Sequence, residues 1–132
     1  MTKWDPTMTI GVAEIDAQHQ ELFRRADLLD VALVQGQSVA VVGITLLYLR
    51  GYCQDHFACE ERLMLDRGYP AAAKHLSEHA WFTKQLESLQ REIAAQGSSE
   101  ALALRLSELM SHWLVTHVGT TDLAFGAFVR GH

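Results

Sequence analysis

Residues 56–79 read HFACEERLMLDRGYPAAAKHLSEH, and this stretch decides the fold. His56 is followed four residues later by Glu60, and His75 four residues later by His79. An α-helix turns about 100° per residue, so side chains four apart stack on one face, about 6 Å apart and close enough to share a metal. Between the two pairs stand Gly68, which ends a helix, and Pro70, which suits the first turn of the next. The stretch reads as two helices joined by a tight loop, each presenting a pair of donor side chains.

Working outward, the second helix extends back to about Val39, with Ser38 as its expected N-cap. Its start, VAVVGITLLYL, would suit a strand as well, but the periodicity through Leu47, Tyr48, Tyr52, Leu63 and Met64 continues without a turn signal. A first helix is expected from about Ala13 to Gln35, with Ile15, Leu22, Phe23, Ala26, Leu29 and Leu33 on one stripe and His19 among them. The third runs from Pro70 to about Ala95 through Phe82, Leu86, Leu89 and Ile93. A loop at Gln96–Ser99 precedes a fourth, from Glu100 to about Val118, with Leu102, Leu106, Leu109, Met110 and Trp113 inward. Gly119, Thr120 and Thr121 read as a break before a short terminal helix, Asp122 to Val129. With an irregular arm at Met1 to Val12, this predicts an all-α, up-down-up-down antiparallel four-helix bundle forming a single domain over residues 1–132.

The totals fit that expectation. At 132 residues and 48% apolar composition, the chain can bury a core. Its 16 acidic against 11 basic residues, net −5, argue against nucleic acid, since phosphate binding needs a basic face. The longest apolar stretch, Val39 to Leu49, is too short to span a bilayer, and the N-terminus lacks a signal-peptide pattern. A cytoplasmic protein is expected. Cys53 and Cys59, six apart on one helix, would lie roughly 9 Å apart, too far for a disulfide, and read as reduced packing cysteines.

Five of the seven histidines lie on the stripes that carry core residues: His19, His56, His75, His79 and His117. Burying them with Glu60 and Asp122 but without partners would cost a few kcal/mol per group, a penalty that a metal removes. The least regular ligand is Asp122, five residues after His117, because an unbroken α-helix would turn it about 140° away. The Gly119–Thr120 break, or a local π-bulge, would swing it back. Glu61 reads as a solvated neighbour, His112 lies off the ligand face, and His132 is the chain end.

In this order the residues resemble the hemerythrin family, in particular its single-domain bacterial members: IDxQH at Ile15 to His19, HFxxEE at His56 to Glu61, GYP then HxxxH at Gly68 to His79, and WLxxH with a later Asp at Trp113 to Asp122. The resemblance covers nearly the whole chain, Trp4 in the arm included. It implies two iron ions bridged by an oxide or hydroxide, one held by His75, His79 and His117, the other by His19 and His56, with Glu60 and Asp122 bridging. One coordination position would stay open, on the iron with two histidines. It also implies that Trp113, Leu114 and Val118 wall a dioxygen pocket, with Tyr52 nearby; isoleucine is commoner where this chain has Val118. The implied function is reversible dioxygen binding, as carrier, store or local supplier, and not an enzymatic one. The alternatives are a module sensing oxygen, nitric oxide or redox state, and a di-iron peroxidase or oxidase. A monomer is expected, with an oxygen-consuming or signalling protein as a conceivable partner.

Overall fold

The computed structural model describes residues 4–131; the first three residues of the arm, and His132, lie outside them. Four long helices follow one another: α1 (Ala13–Val34), α2 (Ser38–Arg67), α3 (Ala72–Gln96) and α4 (Glu100–Trp113). A π-helical segment (Leu114–Thr121) prolongs α4 and leads directly into α5 (Asp122–Gly131). There is no strand among the described residues. Helix α1 packs on α2 and α4, and α3 on α2 and α4, the antiparallel bundle that the short loops require.

The punctuation has local causes. Gly68 closes α2 in the left-handed conformation, φ +63°, which glycine adopts without steric cost. Helix α3 starts two residues later than expected, because Tyr69, Pro70 and Ala71 form a turn closed by the Ala72 N–H on the Tyr69 carbonyl, 3.3 Å. Ser38 is not the N-cap of α2 but its first residue, and it is buried. Ser99 does cap α4, its hydroxyl accepting from the Leu102 N–H at 3.1 Å. The expected break at Gly119 is absent: the chain stays helical through it.

The arm is pinned at both sides. A short 3-10 turn (Pro6–Met8) follows Asp5, whose carboxylate accepts from the Thr7 N–H at 2.8 Å. Asp16 in the first turn of α1 accepts from the N–H groups of Ile10 (2.7 Å) and Gly11 (3.2 Å). The Arg130 guanidinium of α5 donates to the Thr9 and Ile10 carbonyls. Gly126 allows the crossing, since a Cβ there would sit 3.0 Å from the Ile10 Cα. Ile10 is fully buried as a result.

The apolar core is one continuous cluster along the bundle, and Leu29, Val42, Leu46, Leu89, Leu102 and Leu106 fill one part of it. The other part receives the N-terminal halves of α1 and α3 and the C-terminal ends of α2 and α4, which an antiparallel arrangement brings to one end. The early part of α2 corrects one expectation: Val42, Leu46 and Leu49 face inward, while Leu47 is 68% exposed together with Val39 and Ile44. Apolar residues there occupy more than one face, so periodicity alone could not choose between neighbours.

Candidate metal centre

His19 comes from α1, His56 and Glu60 from α2, His75 and His79 from α3, His117 from the middle of the π segment and Asp122 from the first residue of α5. All seven are no more than 3% exposed. Their donor atoms form two groups whose members lie within 4.8 Å of one another: Glu60, His75, His79, His117 and Asp122 in one, His19, His56, Glu60 and Asp122 in the other. The two carboxylates belong to both. Each imidazole turns Nε2 toward a carboxylate: His19 to Asp122 at 3.1 Å, His56 to Glu60 at 3.4 Å, His75 to Asp122 at 3.0 Å, His79 to Glu60 at 3.1 Å and His117 to Asp122 at 3.2 Å.

The π segment explains Asp122. Its N–H donates to the carbonyl of His117, five residues back, so residues five apart take the stacking that residues four apart have in an α-helix. The Thr120 and Thr121 hydroxyls reach back five residues to the Val115 and Thr116 carbonyls. At Gly119 a Cβ would stand 3.0 Å from the Leu114 carbonyl oxygen, so the wide turn closes there on a residue without a side chain.

These groups are too close and too poorly paired to be a hydrogen-bonded core. The Nε2 atoms of His19 and His56 face each other at 3.1 Å, an arrangement that repels unless a proton or a cation lies between them. The Nε2 atoms of His75 and His117 lie 3.0 and 3.2 Å from Asp122 Oδ1 but without hydrogen-bond geometry, so these atoms, the other Asp122 oxygen and Glu60 Oε2 are buried with no hydrogen-bond partner among the described residues. Apart from the Trp4 indole N–H, every such buried side-chain atom belongs to the seven residues. Orphaned lone pairs converging on one point are costly in a dry interior and suit a multiply charged cation.

The charges respond accordingly. Burial works against ionisation of Glu60, as does Asp122, yet the imidazoles of His56, His75 and His79 hold its carboxyl down at about 2. Burial opposes ionisation of Asp122 as well, and His117, His19 and His75 hold it well below the usual carboxylate range. Burial lowers the His75 imidazole, but Asp122 and Glu60 prevail and raise it to about 9. His19 is raised by Asp122 against its own burial, whereas burial keeps His56 low.

Aromatic rings fix the imidazole planes. Trp113 stacks on His117 (3.9 Å between centroids, 10°), Phe57 on His79 (3.8 Å, 2°) and Tyr52 on His56 (4.7 Å, 14°). The Trp113 indole N–H donates to the Tyr52 hydroxyl at 3.2 Å, tying the two ends together. Trp113, Leu114, Val118 and Tyr52 are all buried in the apolar cluster beside the donors. Outside it, a groove of about 480 Å³ between α1 and α2, bordered by Leu47, Tyr48, Gly51 and Tyr52, reaches His56.

Sequence reasoning missed the residues behind the imidazoles. His79 Nδ1 contacts the Glu61 carboxylate at 2.9 Å, and His117 Nδ1 contacts Glu78 at 2.8 Å, where the Thr121 hydroxyl also donates. His56 Nδ1 faces the amide oxygen of Gln18. Glu61 is therefore not merely solvated, although 38% of its side chain is exposed. Spacing could not reveal these partners, because Glu61 and Glu78 act across helix boundaries. His112 lies exposed against Trp81, away from the centre.

A family model described as "Hemerythrin HHE cation binding domain" matches residues 10–128. A bacteriohemerythrin of Stenotrophomonas maltophilia (strain R551-3) is 32% identical over 129 residues, spanning 98% of this chain and 82% of that protein. One of Pseudomonas aeruginosa (strain LESB58) is 29% identical over 127 residues, 96% of this chain and 80% of that protein. A myohemerythrin of Theromyzon tessulatum is 25% identical over 124 residues, 93% of this chain and 89% of that protein.

Proposed function

Since the chain belongs to the hemerythrin family, we propose that it binds dioxygen reversibly at a di-iron centre. His75, His79 and His117 would hold one iron and His19 and His56 the other, with Glu60 and Asp122 available to both. The observation that carries this reading is the pair of donor groups sharing these two carboxylates, with orphaned lone pairs between them. Imidazole with carboxylate suits iron among the first-row metals. A structural zinc site would be complete with four ligands and would not call for two joined groups. Two irons with an oxide or hydroxide would supply, when bound, the two electrons that reversible uptake of one dioxygen requires.

The chain's own residues set the outcome. Trp113, Leu114, Val118 and Tyr52 wall the dioxygen pocket and keep water from it. Burial, with Asp122 and Glu60 close by, pushes the Tyr52 phenol well above its usual range, so it keeps its proton at neutral pH. A wall without a group that exchanges protons near neutrality favours binding and release over turnover. We therefore assign a carrier or store rather than an enzyme. A cytoplasmic location, a single domain and a monomeric state belong to the same reading; among the described residues no helix is long and apolar enough to cross a membrane.

An oxygen electrode tests the proposal. Anaerobically reduced, iron-loaded protein should take up one dioxygen per chain and return it when the gas phase is replaced by argon. Continuous consumption in the presence of reductant, with no oxygen returned, would move the assignment to an oxidase.

A further inference from the structure

The imidazoles are backed unequally. In the group with three histidines, His79 and His117 turn Nδ1 to the carboxylates of Glu61 (2.9 Å) and Glu78 (2.8 Å). In the group with two histidines, His56 turns Nδ1 to the neutral amide of Gln18. One imidazole in each group, His19 in this one and His75 in the other, has its Nδ1 buried with no protein partner among the described residues, so the groups differ in the two carboxylates against the one amide. A carboxylate that accepts an imidazole N–H makes the opposite nitrogen a stronger donor and adds negative charge a few ångströms from the metal. An amide fixes the ring's orientation but adds no charge.

We infer that Glu61 and Glu78 are positioning residues that make the two metal positions unequal, so that the three-histidine position fills first and binds its ion more tightly, while Gln18 keeps the two-histidine position the weaker. The inference rests on the two-metal reading above. The third imidazole alone would favour the same position, so the test must isolate the outer partners. Glu61 and Glu78 also come from different helices, α2 and α3, so a general loosening of one helix cannot imitate both. The consequence for function is an ordered assembly. The ion with the more labile position is also the one that the sequence resemblance leaves open to dioxygen.

The test is an equilibrium titration of the metal-free protein with ferrous iron under argon, in wild type, E61Q, E78Q and Q18E. Wild type should show two resolved steps. E61Q and E78Q should each weaken the tighter step about tenfold or more, the usual effect of removing such a partner, and leave the weaker step nearly unchanged. Q18E should do the reverse, tightening the weaker step and narrowing the gap. This gain is one that a merely structural role for Gln18 would not produce. Unresolved equal steps in wild type, equal weakening of both steps in E61Q and E78Q, or an unmoved weaker step in Q18E would each overturn the inference. Uptake of fewer than two irons by wild type would instead sink the two-iron reading itself, before any comparison of steps.

Discussion

At the scale of single residues, the site depends on side chains that serve two partners at once. Glu60 faces the Nε2 atoms of His56, His75 and His79 and belongs to both donor groups. Glu60→Ala should therefore lose at least one iron per chain by metal analysis; a variant that retains two would contradict a bridging role. Leu114 is 2% exposed and, in our reading, walls the dioxygen pocket. Leu114→Ala should cost about 2–5 kcal/mol of stability in denaturant unfolding and shorten the life of the oxygenated form severalfold; an unchanged lifetime would remove Leu114 from the wall. The raised His75 imidazole gives a pH dependence. Below about 9 the metal-free site holds a proton that a metal must displace. Apparent iron affinity should thus rise with pH and level off above that value, and calorimetry in buffers of different ionisation enthalpy should register proton release on binding.

At the scale of elements, the π segment is the device that brings Asp122 to the other donors. The five-residue spacing from His117 showed in the sequence that an ordinary helix would fail there, and a π-bulge was one of two remedies it allowed. The choice between a bulge and a break depended on contacts that spacing does not encode: the threonine hydroxyls reaching back five residues and the closeness of Gly119 to the Leu114 carbonyl. Gly119→Ala should cost about 1–3 kcal/mol, as overpacking does, and should weaken iron binding because Asp122 is re-aimed; full iron content with unchanged thermal stability would contradict this. The four helices were legible because apolar stripes follow the helical period, and the His56/Glu60 and His75/His79 pairs because they share it. Glu61, Glu78, Gln18 and Phe57 were not, since each acts on an imidazole through tertiary packing. Leu47 misled because the start of α2 is apolar on several sides.

For the whole molecule, the donors tie all four helices to one point, so metal and fold should be linked. Ligands that bind only the folded state stabilise it by about 2.7 kcal/mol each at a hundredfold excess over Kd. Stripping the metal with a chelator should accordingly lower Tm by several degrees, most of which returns on reloading; equal melting of the two forms would show that the bundle does not depend on its centre. The apolar end of the core, by contrast, needs no ion, and the metal-free chain should keep its helical circular dichroism at room temperature. Reversible dioxygen binding is decided by an optical spectrum of the reduced protein through cycles of air and argon, with iron counted per chain. Two irons, and a colour that appears in air and fades under argon over repeated cycles, are expected. Two irons that pass irreversibly to a ferric state, or fewer than two irons, would contradict reversible dioxygen binding.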